Sequence, residues 1–442
     1  MISILNTLYS TVVRKVAAFS AVINGLFAIL EARSTYFENE KGSKTSAKEL
    51  EDASLLDKAS IVLTPTGYSE DAIHNVKPSS GTFGDMTLIL NSTSTKIDEN
   101  GLVVDVAKNI PRIDYSKGSG AILAELASTN QIRYSEDFSN ALWLKTAVTL
   151  TSSTSTNPRG ESATIYAIQG APAQGGLEAN MVYSAGGTGV GASIWARKKS
   201  GVGTANVEIG YADSSNVYKN TVSVGADWQR ITYTSTSYTG ATRFYVRPQG
   251  TSNVIEIWGA QIEKTALSGQ NGRVSSYMPT TSGSVTRLRT NYINGGDATL
   301  IGAQEGVLFF EGAALNNASV SRGIALSASN SSANRVALFF RSVTNEILAI
   351  IQGSSGYISL SASGITQTNF NKIAVKYKSG DLALWINGVE VDTNTQSLTF
   401  NAPLNQLAFN QGNGTLYMDG HVKQVAVFKE ILSDAELAAL TS

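Results

Sequence analysis

The chain has 442 residues, enough for about three domains and several separate hydrophobic cores. Its 34 basic and 35 acidic residues give a net charge of −1, which argues against a nucleic-acid or anionic-membrane partner recognised by bulk electrostatics. With no cysteine, the chain has no disulfide framework, thiolate nucleophile or sulfur-based zinc site.

Residues 1–33 carry a seven-residue apolar repeat, which predicts an N-terminal α-helix that forms a coiled coil or docks on another protein. A lone helix would leave this stripe in water, so we expect it to oligomerise or to anchor the chain to a larger particle. Further apolar residues beside the stripe favour three or more strands over a dimer, with a trimer expected, or insertion into the groove of another protein. The stripe consists of Ile2, Leu5, Tyr9, Val12, Val16, Phe19, Ile23, Leu26 and Leu30.

Two other interpretations of this segment stay open. The apolar run 16–30 follows Arg14 and Lys15, as in a secretory signal peptide, although the preceding fifteen residues are long and apolar for a charged leader. The other interpretation is a membrane anchor, but a membrane span needs about 20 apolar residues and this run is shorter, which argues against it. The expectation is therefore no membrane span.

The next two segments differ in composition. Residues 34–58 are charged and polar, which predicts a linker. Residues 59–130 contain short apolar runs between turn-forming residues, which predicts a small β-rich linker domain. The predicted strands lie at residues 61–63, 86–90, 102–106 and 110–113.

Residues 131–264 alternate between apolar and polar side chains with no helical period between the runs. This pattern predicts an antiparallel β-sandwich and argues against βαβ units. Residues 265–289, rich in Ser, Thr and Gly, predict a second linker. The predicted strands lie at residues 194–197, 207–211, 217–224, 228–233, 244–248 and 254–262.

Residues 290–442 show the clearest alternation and predict a second sandwich. Asn387-Gly388 supplies the two positive φ angles of a tight hairpin. Ser433 and Glu436 have the spacing of a capping box, which predicts a short C-terminal helix. The predicted strands lie at residues 306–312, 335–341, 347–352, 358–360, 372–378, 382–386, 404–409 and 422–428.

Several of these segments resemble known families. The hairpin at 372–391 and the ending at 427–437 resemble concanavalin-like (laminin-G-type) jelly rolls. Residues 111–115 and 134–143 are similar to a module of tailed-bacteriophage virion proteins, and residues 258–281 to the end of its carbohydrate-binding-like sandwich. Together the resemblances cover about residues 60–442 and imply a mainly β chain with two jelly-roll-type sandwiches.

No catalytic residue is expected. The two histidines, His74 and His421, fall in different predicted domains, which argues against a Ser/His/Asp relay or a His metal cluster. His421 follows Asp419-Gly420 and is expected to be a turn residue. Glycoside cleavage needs two acids about 5–9.5 Å apart around a sugar. The best candidate pairs are Glu136 with Asp137 and Glu256 with Glu263, and no spacing singles out either.

No cofactor or metal is expected either. Some concanavalin-like domains bind calcium, which needs clustered oxygen ligands. The acidic and amide residues of the C-terminal region match no calcium-site spacing; they are Asp381, Asp392, Asn413 and Asp419.

Aromatic side chains are the expected sugar-binding groups, because an exposed ring can pack on the apolar face of a sugar. Three tyrosines adjoin predicted turns, and one tryptophan adjoins the Asn-Gly hairpin. The candidate glycan-binding residues are therefore Tyr211, Tyr218, Tyr238 and Trp385. The tryptophans within strand patterns are expected in the core; they are Trp195, Trp228 and Trp258.

The resemblance and the helix together imply a structural component of a bacteriophage virion, an oligomeric fibre- or spike-type adhesin. Its expected partners are host surface glycans, copies of itself, and other virion proteins through the N-terminal helix. Its expected location is the extracellular particle. One alternative is a head fibre or a capsid or collar decoration protein with an architectural role. A glycan depolymerase is a third, although no long repeat typical of a β-helix spike is present.

Overall fold

The computed structural model describes residues 54–78, 85–170, 176–181, 189–201, 203–212, 217–235, 242–250, 253–264, 273–317, 321–329, 331–341, 345–354 and 356–442. The predicted N-terminal helix, its nine stripe residues and nearly all of the first predicted linker lie outside these residues. Residues 59–442 belong to one structural unit.

The described elements are thirty strands and one helix. The first strands are β1 (Ala59–Ser69), β2 (Ala72–Lys77), β3 (Met86–Ile89), β4 (Ser94–Ile97), β5 (Val103–Val106), β6 (Ile113–Asp114), β7 (Ala121–Ala124) and β8 (Ser128–Asn130). The next are β9 (Trp143–Thr146), β10 (Val148–Thr156), β11 (Ser162–Gly170), β12 (Gly176–Met181), β13 (Val190–Lys198), β14 (Ala205–Ala212), β15 (Val217–Val224), β16 (Gln229–Ser235), β17 (Thr242–Pro248) and β18 (Val254–Lys264).

The remaining strands are β19 (Val285–Arg287), β20 (Asn291–Ile293), β21 (Glu305–Ala314), β22 (Arg322–Ala328), β23 (Ser331–Phe340), β24 (Glu346–Gly353), β25 (Gly356–Ser363), β26 (Asn371–Lys378), β27 (Leu382–Ile386), β28 (Val389–Asn394), β29 (Gln406–Ala408) and β30 (Gly420–Phe428). The chain ends in helix α1 (Asp434–Thr441). The prediction of a mainly β fold is confirmed.

The C-terminal sandwich has two antiparallel sheets. The larger, of eleven strands, runs β20-β3-β2-β1-β30-β21-β26-β27-β28, and β7 with β6 joins it at β30. The smaller runs β25-β24-β23-β22-β29. Because side chains alternate between the two faces of a strand, Phe310 and Val375 of one sheet meet Val336 and Ile351 of the other in a closed apolar core.

Residues 59–130 add strands to this sandwich. In β1, Ile61 pairs with Val427 and Leu63 with Val425 of β30, and β30 also pairs with β21. The segment expected to be a small linker domain therefore shares a sheet with the C-terminal jelly roll. The apolar runs of this segment are too short to enclose a hydrophobic core by themselves. They contribute to the core of the C-terminal sandwich because β1 pairs with β30.

The other sandwich, formed by residues 143–264, stacks sheet β10-β11-β18-β13-β16 on sheet β15-β14-β17-β12-β9. Ile194 and Ile257 of the first sheet pack against Ile209 and Phe244 of the second. The alternation that places Ile194 in this core turns Trp195 to the outer face of its sheet. That outer face carries the site described below.

Local signals within the C-terminal sandwich behave as expected. Asn387 and Gly388 have φ angles of 50° and 84° in the turn after β27. The Ser433 side chain caps α1 and Glu436 completes the capping box. Among the described residues, no helix is long and apolar enough to cross a membrane.

Candidate functional site

A cleft of about 100 Å³ lies between the outer face of the β13–β16–β18 sheet and the C-terminal sandwich. We call it the central cleft. It is lined by residues from both sandwiches and from the segment between them, chiefly Asp114, Glu125, Trp195, Arg230, Tyr277 and His421. A second cavity of about 470 Å³, the polar groove, shares Arg230, Val274 and Leu315 with it. The groove is further lined by Thr232, Thr234, Arg273, Asn316 and Asn317.

Three aromatic rings form the floor of this region. The ring centres of Trp195 and Trp258 lie 5.3 Å apart, and those of Trp195 and Tyr277 lie 5.2 Å apart, both edge to face. Gly259 makes the arrangement possible, because its φ of 65° accompanies a register shift that brings Trp195 opposite Trp258. A Cβ at this position would press on the Trp195 ring. Trp195 and Trp258 are buried as expected, but in this outer cluster and not in the sandwich core. Trp228, also expected in the core, is only half-buried at the edge of the cluster.

Arginine side chains lie over these rings. The guanidinium of Arg230 is 4.6 Å from the centre of Trp195, and that of Arg159 is 5.7 Å from the centre of Trp258. At such distances the guanidinium is attracted to the negative face of the ring. The site therefore combines aromatic surface with positive charge.

A set of ion pairs, the buried ionic network, holds the walls of the cleft. Glu125 accepts a hydrogen bond of 2.5 Å from Arg112, and Arg287 lies 3.4 Å from the same oxygen. Burial alone would raise the pKa of Glu125, but the guanidiniums of Arg287, Arg112 and Arg273 hold it well below its usual range. Burial lowers the pKa of Arg287 to about 10.

Two further acids belong to this network. Asp419 pairs with Arg273 and lies 3.6 Å from Arg322. Burial raises the pKa of Glu263, which accepts hydrogen bonds from Ser275 and Ser128. Because these pairs tie residues 273–289 to both sandwiches, the described part of the segment expected to be a linker is packed structure.

Asp114, Ser116 and His421 meet at one side of the cleft. The Nε2 atom of His421 lies 3.1 Å from Asp114 Oδ1 and 3.3 Å from Ser116 Oγ. A relay needs the acid on one ring nitrogen and the nucleophile on the other, and here both share Nε2. His421 lies within β30 and is 2 % exposed, so the expectation of a turn residue is wrong. Its Nδ1 is buried and has no hydrogen-bond partner among the described residues.

The acidic residues considered as catalytic pairs are each engaged with other groups. Glu136 accepts a hydrogen bond of 3.0 Å from Tyr277, and burial raises its pKa. Asp137 instead accepts from Ser139 and Tyr166. Glu256 pairs with Arg197 at 2.7 Å, while Glu263 lies in the network described above.

The described members of the predicted glycan-binding set lie in two places, Tyr211 and Tyr218 in the first sandwich and Trp385 in the C-terminal one. Tyr211 is 1 % exposed and its ring stacks on Tyr218 at 4.8 Å, so the expectation that it is exposed is wrong. Tyr218 is half-buried. Trp385 is 7 % exposed on a strand that contacts helix α1, and it offers no free ring face. Tyr238 lies outside the described residues.

No cluster of three or more His, Asp or Glu side chains suited to a metal ion occurs in the described parts of the chain. Asp419, one of the residues considered as a calcium ligand, instead forms ion pairs with Arg273 and Arg322. The residues that do form the cleft carried little sequence signal. Asp114 and Tyr277 fall in segments that the sequence singles out, whereas Arg230 and Trp195 lie in ordinary strand patterns.

The comparisons with known proteins concern the sandwich folds. The family model Laminin_G_3, described as the Concanavalin A-like lectin/glucanases superfamily, matches residues 313–438. The resemblance of the C-terminal sandwich to concanavalin-like, laminin-G-type domains is thus confirmed. No curated protein sequence matches the chain.

Two solved structures illustrate the structural similarity. The CBM40 domain of the Ruminococcus gnavus IT-sialidase, bound to α2,3-sialyllactose, is 17 % identical, with a TM-score of 0.29 over 33 % of this chain and 86 % of that one. Domain 4 of AbnA, a GH43 extracellular arabinanase of Geobacillus stearothermophilus in complex with arabinotriose, is 14 % identical. Its TM-score is 0.29 over 39 % of this chain and 82 % of that one.

Proposed function

We propose that the protein binds glycans without catalysis and that the central cleft with the polar groove is the binding site. The observation that carries this proposal is the meeting of aromatic rings with hydrogen-bonding side chains in one concave site. Trp195 and Tyr277, 5 % and 2 % exposed, form the inner wall of the cleft, and Arg230, Thr232 and Asn316 offer donors and acceptors for sugar hydroxyls. Small-molecule sites usually occupy cavities of about 300–1,000 Å³. The polar groove, at about 470 Å³, falls in this range. The concanavalin A-like C-terminal domain supports the same function.

We further propose that the chain is a fibre- or spike-type adhesin on a bacteriophage virion. The support is the sequence resemblance of residues 111–115, 134–143 and 258–281 together with the apolar repeat of residues 2–30. An oligomer, expected to be a trimer, would present several weak sites at once and gain avidity through effective concentration. The N-terminal helix would join the copies and dock on other virion proteins.

The alternative to an adhesin is an architectural role on the head or collar, and one observation favours it. The buried ionic network ties the two sandwiches together, as a spacer would require. Immunolabelling of particles that carry the protein separates the two: an adhesin is expected at the tail tip, and a decoration protein over the shell.

Glycan binding is tested with the purified full-length oligomer on a glycan array and on host cells. Retention on a defined set of sugars is the expected result. Failure on both surfaces would leave the architectural role. Release of soluble sugar from host capsule would instead establish the depolymerase, which is not favoured because Tyr277 engages Glu136 and Arg197 engages Glu256.

A further inference from the structure

The side chain of Arg230 occupies the junction between the central cleft and the polar groove and lines both. It lies on β16, and Gly225 and Trp228 precede it at the end of the β15–β16 turn. The indole of Trp195 supports its guanidinium from below at 4.6 Å. Any molecule that extends from one cavity into the other must therefore pass this guanidinium.

Arg230 has only neutral hydrogen-bond partners among the described residues. Its Nη1 donates to the Ser275 carbonyl at 2.8 Å and its Nη2 donates to Ser193 Oγ at 3.0 Å. Its Nε is buried and has no hydrogen-bond partner there. A guanidinium has five N–H donors. These contacts use two, which leaves donors for a further anionic acceptor.

Other arginines of the site, unlike Arg230, contact carboxylates. Arg112 and Arg273 each contact a carboxylate in the buried ionic network, and Arg197 contacts Glu256. Within the part of the chain that the structure describes, no carboxylate lies within the 4.0 Å ion-pair distance of Arg230.

The charges around Arg230 also leave an excess of positive charge. Five guanidiniums belong to the network or border it, those of Arg112, Arg230, Arg273, Arg287 and Arg322. Four described carboxylates face them, those of Asp114, Glu125, Glu263 and Asp419. One positive charge is left. Lys96 at the cleft wall adds another positive group.

We propose that Arg230 binds the carboxylate of an acidic sugar, so that the site prefers carboxylated glycans to neutral ones. A carboxylate can accept two parallel N–H bonds from one guanidinium, which gives both strength and orientation. In this arrangement the hydroxyls of the sugar face Thr232 and Asn316 in the groove. This inference rests on the glycan-binding function proposed above and adds the class of ligand.

The experiment compares two matched probes on the full-length protein by calorimetry: an oligogalacturonate and the same oligosaccharide with its carboxylates reduced to alcohols. The wild type is expected to bind the acidic probe at least about tenfold more tightly, with an affinity that falls as salt is raised. Arg230→Gln is expected to remove that preference, while Arg133→Gln, at an exposed position, is expected to keep it.

Equal affinity of the wild type for the two probes, or an unchanged preference in a folded Arg230→Gln variant, would overturn the carboxylate site and leave glycan binding intact. Binding of neither probe, with an empty glycan array, would overturn both proposals. If Arg230→Gln does not fold, the salt series on the wild type decides. An affinity for the acidic probe that does not change with salt would then contradict the inference.

Discussion

The Nη1 atom of Arg112 lies 2.5 Å from Oε2 of Glu125, and neither side chain is more than 1 % exposed. Arg287, from the segment that follows the first sandwich, lies 3.4 Å from the same carboxylate oxygen. Ser276 donates to Glu125 from both its backbone nitrogen and its hydroxyl. One carboxylate thus joins residues 112–125 to residues 276–287, two stretches of chain that are far apart in sequence.

Replacing this carboxylate is expected to destabilise the protein. In Glu125→Gln, the guanidiniums of Arg112 and Arg287 stay buried without a counter-charge, and breaking such a pair costs about 3–5 kcal/mol. Urea unfolding measures the loss. Glu390→Gln, at an exposed position, serves as the control and is expected to change the free energy of unfolding by less than about 0.5 kcal/mol. Equal stabilities of the two variants would contradict the importance of the network.

The same group makes stability depend on pH. The pKa of Glu125 is lower in the folded protein than its ordinary value of 4.5, so below pH 4.5 the unfolded chain binds a proton that the folded protein does not. Its contribution is therefore present above pH 4.5 and is lost as the pH falls toward the folded-state pKa. The expected slope is about 1.4 kcal/mol per pH unit for this proton. Glu125→Gln is expected to lose that part of the slope, and identical slopes would refute the assignment.

The backbone of Arg273 packs directly against Gly191, and we expect this contact to hold the segment that starts at Arg273 in place. A Cβ on Gly191 would overlap the carbonyl oxygen of Arg273, whose side chain pairs with Asp419. Gly191→Ala is therefore expected to lower the free energy of unfolding by about 1–3 kcal/mol. At Gly283 nothing lies within 4 Å of an added Cβ, so Gly283→Ala is the matched control. Thermal unfolding of the two variants measures the difference. Equal unfolding midpoints for Gly191→Ala and Gly283→Ala would contradict close packing at Gly191, because they would show that the segment shifts without cost.

Local sequence patterns predict much of this fold. The alternation in β26 and β27, the Asn387-Gly388 turn and the capping box of α1 depend on neighbours within a few residues, and the sequence displays them directly. The pairing of β1 with β30 joins opposite ends of the chain. Short apolar runs carry no information about distant partners, so residues 59–130 read as a domain of their own.

The residues of the site are likewise hard to predict, because their burial depends on contacts between distant parts of the chain. Aromatic residues near turns look exposed in a sequence, yet Tyr211 is buried because its strand faces the sandwich core. Conversely, Trp195 lies next to core residues in sequence, but strand alternation turns it outward to the cleft. The arginines and acids of the buried network are spread over much of the chain, and no spacing rule relates them before the sandwiches are assembled.

The N-terminal repeat is expected to set the oligomeric state. Deleting residues 1–33 removes the nine-residue apolar stripe, and we expect a full-length trimer to become a monomer. Sedimentation equilibrium on the two proteins measures the mass. A truncated protein that keeps the full-length stoichiometry would place the contacts between copies elsewhere.

The central claim is that sugars bind in the cleft and groove between the two sandwiches. Val274 lines both cavities and is half-buried, so Val274→Trp fills their junction. Val389→Trp, at a position 59 % exposed on the C-terminal sandwich, is the control. The most direct measurement is the affinity of wild type and both variants for the sugar retained on the glycan array. The expected result is at least a tenfold loss for Val274→Trp alone; unchanged affinity in a folded Val274→Trp protein would contradict the claim.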